Sequence, residues 1–124
     1  MDSYDPDAPP QPTDWLQSDE GEQVELVSAY HRRRKIALPN LQLHAVVHVV
    51  VENQIALGEE MVVNKLARLC AEGLSRHDAI HAIGSVLAEN LYELMKDDDR
   101  VTGVLYQRYL ERLQQLTAEN WRAG

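Results

Sequence analysis

Five side chains in this 124-residue chain have the type and spacing to bind a metal. His44, His48 and Glu52 recur every fourth residue in LQLHAVVHVVVENQ, and His77 and His81 repeat that interval in SRHDAIHAIGSVLAENLYELM. On an α-helix this interval places side chains on one face within about 80° of arc. Neutral imidazole is a good ligand for zinc, iron, nickel or copper. Helical bundles build metal centres from such i, i+4 pairs on facing helices. The expected ligands are therefore His44, His48, Glu52, His77 and His81 around a divalent transition metal: zinc, iron or nickel. Glu52 either ligates or hydrogen-bonds a ligating histidine. Asp78 and Glu89 are candidates for the same supporting role. An open coordination position would allow water activation, whereas four protein ligands would close the site and make it structural. The sequence leaves enzyme status open.

Two arrangements without a metal fit the same residues. In the first, the histidines form a buried hydrogen-bond network satisfied by Glu52, Asp78, Glu89 and Tyr92, since buried polar groups need partners. The protein would then be a non-catalytic interaction or dimerisation module. The second is a substrate-binding enzyme with histidine and Glu52 in acid–base roles, without a substrate motif to support it. A dinuclear carboxylate centre wants Glu-x-x-His pairs, which this spacing does not supply. A haem attachment motif is absent.

Helices must position these residues. A first is expected over residues 20–30, with Asp19 as N-cap and Val24, Leu26, Val27 and Tyr30 as its apolar side. The basic run His31-Arg32-Arg33-Arg34-Lys35 that follows reads as a solvated helix end, where cations favour the C-terminal dipole. Asn40 is the expected cap of a second helix reaching Leu57, with Gly58 as its stop. That helix carries the first histidine pair and is apolar nearly all round, which predicts a central place or an interface. A third spans residues 60–72 and ends at Gly73, with Cys70 on its buried stripe. Ser75 opens a fourth, over residues 75–96, as part of a capping box. Gly84 and Ala88 edge its polar stripe and would let another helix approach closely. Asp97 to Asp99 form a turn into a fifth helix over residues 100–117, with Tyr109, Leu113 and Leu116 inward and Trp121 sealing the end. Short connections predict that the second and fourth helices run parallel, with their histidines level.

The net charge of −8 is unevenly spread, because residues 1–20 hold six acids and no lysine or arginine. The rest is close to neutral, which argues against general nucleic-acid binding. Four prolines among the first twelve residues, with few apolar side chains, predict a disordered acidic tail over residues 1–18. A protein partner for that tail is one expectation, and docking of Trp15 and Leu16 on the body is another. The single cysteine suits a reducing cytoplasm, and neither a transmembrane span nor a secretory signal is expected.

The two histidine segments, over residues 40–95, resemble an uncharacterised bacterial family of small helical domains. Its members share L-x-L-H-x-x-x-H-x-x-x-E-x-Q and a downstream H-x-x-x-H helix. The resemblance implies a helical domain with no established activity, and it points to His44, His48, Glu52, Gln54, His77, His81 and Glu89. The fold expected is all-α: a bundle of four to five helices in one domain over residues 19–124, preceded by the tail. A homodimer is expected from the apolar surface of the second helix.

Overall fold

The structure is a computed structural model that describes residues 4–33, 41–96 and 102–123. Among the described residues the chain is helical without strands. Its elements are α1 (Pro12–Gln17), α2 (Glu20–Arg33), α3 (Leu41–Ala56), α4 (Glu60–Ala71), α5 (Arg76–Lys96), α6 (Thr102–Gln115) and α7 (Ala118–Ala123).

Local chemistry sets the helix ends. The Asp19 carboxylate accepts the Glu22 amide at 2.8 Å at the start of α2, and the Ser75 hydroxyl accepts the Asp78 amide at 3.0 Å at the start of α5. Gly58 and Gly73, at φ of 76° and 106°, turn the chain after α3 and α4 in the left-handed region. The expected Asn40 cap and the turn at Asp97 to Asp99 lie outside the described residues.

Helix α3 is the centre, packing on α1, α2, α4 and α5. Three faces of it do different work. Val47 and Val51 enter a core with Val62, Leu69, Ile80, Ile83, Leu113 and Leu116. Ala45 and Val49 enter a second core with Tyr4, Trp15, Val27 and Tyr30. His44, His48 and Glu52 hold the face between. Burying each large aliphatic side chain contributes about 1.5–3 kcal/mol, so two separate cores fix the rotation of α3 and hence where its histidines point. Four helices, α1, α2, α4 and α5, pack against α3.

The structure differs from expectation in four places. Two short helices, α1 and α7, join the five expected ones. Each has six residues, too few to show a periodicity, and each is set by its cap. The Gln11 side chain accepts the Asp14 amide at 2.7 Å, and Thr117 and Asn120 cap each other reciprocally. Second, the segment expected to be a disordered tail is packed over residues 4–18. Trp15 is fully buried, and its indole N–H donates to Asn53 at 2.7 Å. Leu16, the other expected anchor, is exposed. Third, Cys70 is exposed rather than buried.

Fourth, α5 does not meet α3 in the order that parallel helices with level histidines would give. His44 near the start of α3 meets His81 in the second turn of α5, while Glu52, about 12 Å further along α3, meets Arg76 at the first residue of α5. Parallel helices would keep those contacts in the same order. A Cβ on Gly84 would stand 3.1 Å from Val47, so the missing side chain permits the close approach of α5 to α3.

Candidate metal centre

Three helices bring all five histidines together. His31 comes from α2, His44 and His48 from α3, and His77 and His81 from α5. The ring centroids of His44 and His81 are 4.4 Å apart, and those of His31 and His44 are 4.8 Å apart. His77 packs 4.1 Å from His81 and 5.5 Å from His31. One nitrogen each from His31, His44, His48 and His81 lies within 4.8 Å of the other three. The Nε2 atoms of His44 and His81 are 3.0 Å apart. Two nitrogens about 2.0–2.1 Å from one zinc ion at a tetrahedral angle would be about 3.4 Å apart. The cage is therefore close to ligand spacing on one side and needs to contract by up to about 1.4 Å on the other.

Four of the histidines, His44, His48, His77 and His81, are held towards the neutral form. Burial, reinforced by the neighbouring imidazoles, lowers His44 to about 4 and His81 to about 3, and it pushes His48 well below its ordinary value. Burial also lowers His77, although Asp7, Asp78 and Asp5 act in the opposite direction. A neutral imidazole carries one N–H and one lone pair.

Hydrogen bonds then decide which nitrogen is which. The Nδ1 of His31 faces the Val27 carbonyl at 2.8 Å and must donate to it, so Nε2 is the His31 nitrogen that can offer a lone pair. Three ring nitrogens, His31 Nε2, His48 Nδ1 and His77 Nε2, are buried with no hydrogen-bond partner. Unpartnered buried polar atoms are costly, and a cation is the partner that lone pairs on neutral imidazoles would accept.

Sequence reasoning missed His31. It opens a basic run that reads as a solvated helix end, yet it is fully buried. The available signal was its phase: Val24, Val27 and His31 fall at i, i+3 and i+7. Extending α2 by one turn places His31 on the inward face.

Glu52 stands apart from the four-nitrogen group. It is 1 % exposed, and its two oxygens accept from the Arg76 guanidinium at 2.7 and 2.8 Å in a fork-to-fork pair. It also accepts from the Tyr4 hydroxyl. Tyr4 in turn lies 2.7 Å from His48 Nε2, so Glu52 reaches the cluster through Tyr4. His77 belongs to the ring cluster without joining the four-nitrogen group.

Glu89 does not reach the histidines, and Asp78 acts on His77 through its charge. Both are exposed, and Glu89 lies two turns, about 12 Å, beyond His81. Gln54 accepts from the Tyr109 hydroxyl at 2.8 Å, which ties α3 to α6 away from the cluster. The chain matches no protein-family model, no curated protein and no solved structure.

Proposed function

We propose that this is a small metal-binding helical protein, holding a divalent transition metal on His31, His44, His48 and His81. The observation that carries this is the convergence of four imidazoles within 4.8 Å, together with buried, unpartnered nitrogens on His31 and His48. An all-nitrogen donor set suits zinc, iron, nickel or copper and disfavours magnesium and calcium, which prefer oxygen. Four protein ligands close a tetrahedral sphere, which favours a structural or carrier role over water activation. No helix among the described residues is long and apolar enough to cross a membrane. With one exposed, unpaired cysteine, the protein fits a reducing cytoplasm.

The alternative is a hydrogen-bonded histidine network in an interaction module. The 3.0 Å contact between His44 and His81 favours it, since one neutral ring can donate to the other. That network nevertheless leaves three buried nitrogens unsatisfied. Elemental analysis of untagged protein, with thermal melts with and without a strong chelator, separates the two. About one metal per chain and a chelator-sensitive melt are expected. No metal, and a melt unchanged by added zinc, iron or nickel, would leave the network.

A further inference from the structure

We propose that Tyr4 is a positioning residue of this centre, fixing His48 as an Nδ1 donor, so that the N-terminal segment completes a site whose ligands all lie on helices. This rests on the metal-binding function proposed above.

The assignment follows from a single proton. A phenol has one O–H, and that of Tyr4 donates to Glu52. Both oxygens of Glu52 are held by Arg76, which keeps the carboxylate an acceptor. The Tyr4 oxygen can therefore meet His48 Nε2, 2.7 Å away, only as an acceptor. His48 then carries its proton on Nε2 and its lone pair on Nδ1, the buried atom that has no partner. Metal-bound histidines commonly have the remote nitrogen held in this way, which fixes tautomer and ring orientation.

Tyr4 is itself held in place. Its ring packs against Trp15 at 5.4 Å, Tyr30 at 6.3 Å and His48 at 5.4 Å between centroids. Two residues on, the Pro6 carbonyl accepts from Arg76 at 2.8 Å, and the Asp7 carboxylate accepts the His77 amide at 3.0 Å. The segment from Tyr4 to Asp7 is thus tied to the same arginine that orders Glu52 and to the first turn of the helix that carries His77 and His81. His31 shows the same device with a backbone acceptor, the Val27 carbonyl, in place of a side chain.

Cobalt(II) titration of wild type, Tyr4→Phe and Tyr106→Phe, together with the ring-nitrogen NMR of wild type, tests this. Tyr4→Phe keeps the ring packing and removes only the hydroxyl. Tyr106→Phe removes a hydroxyl bonded to Glu59, outside the cluster. The expected result is cobalt affinity lower by about 10–100-fold in Tyr4→Phe, with altered d–d bands, and a wild-type spectrum and affinity in Tyr106→Phe. In metal-free wild type, His48 should be protonated at Nε2, and zinc should shift its Nδ1 resonance. Equal affinity and identical bands in Tyr4→Phe, or zinc bound at His48 Nε2, would overturn the role of Tyr4 while leaving the metal centre standing. A wild type that takes up no cobalt or zinc would instead overturn the metal centre, and this proposal with it.

Discussion

Replacing Arg76 by methionine should be among the most damaging single changes in the protein. The Arg76 side chain is 10 % exposed and the Glu52 side chain 1 % exposed, with two hydrogen bonds of 2.7 and 2.8 Å between them. Removing one partner of a buried pair leaves an uncompensated charge, at about 3–5 kcal/mol. The Pro6 carbonyl also loses its donor, which adds about 1 kcal/mol. Against a typical total stability of about 5–15 kcal/mol, this removes a large fraction. The double variant Glu52→Gln/Arg76→Met leaves no charge, and its amide oxygen can still accept from Tyr4. It should lie within about 2 kcal/mol of wild type, so the two single effects should not add. Urea unfolding followed by circular dichroism at pH 7, with chelator present throughout, measures all four corners of the cycle. A loss below about 1 kcal/mol for Arg76→Met, or strict additivity in the double variant, would refute the buried-pair account.

Three further outcomes can be checked with similar material. His44 and His81 titrate at about 4 and 3 in the fold, below the ordinary value of 6.5, so the unfolded chain binds protons that the fold refuses. Their contribution is complete above pH 6.5 and is lost on acidification towards pH 3–4. After halving for solvent screening, the loss is about 2–3 kcal/mol at pH 4.5. Urea melts at pH 7.5 and 4.5 should show at least that loss, and His44→Gln/His81→Gln should reduce it, leaving the part that His48 and His77 carry. Trp15→Ala should destabilise by about 3–5 kcal/mol in the same assay, since the indole is fully buried, whereas a free tail would show no change. His31→Ala should weaken zinc binding by more than the roughly 10–100-fold typical of an outer partner, while His77→Ala should stay within that range. Competition with a zinc chromophore decides between them.

The long helices were legible because each repeats an apolar stripe and carries recognisable ends. Asp19, Ser75, Gly58 and Gly73 all stand where capping chemistry requires them. The spacing of His44 and His48, and of His77 and His81, put those pairs on the helix faces where their rings meet. What stayed hidden has a tertiary origin. Tyr4 and Trp15 are isolated aromatics among prolines and acids, and only the groove beside α3 gives them a place. The pairing of Glu52 with Arg76 joins two helices through long side chains, so no local pattern announces it. His31 looked like part of a cationic helix end because its neighbours are arginines, although its own phase on α2 points inward. Cys70 follows buried Leu69 by one position, about 100° round α4, and that step carries it to the solvent side.

The contacts of the N-terminal segment also set an order of assembly. Tyr4 meets His48 across 44 positions, and Asp7 meets His77 across 70. The second contact cannot form until α5 has been synthesised, whereas each helix can begin to form from its own local bonds. Tyr4 can meet α3 once His48 is made, but the segment as a whole is seated only after the first turn of α5 exists. A nascent chain halted before Arg76 has neither the arginine that orders Glu52 nor the histidines of α5, so completion of the centre reports that translation has passed that point.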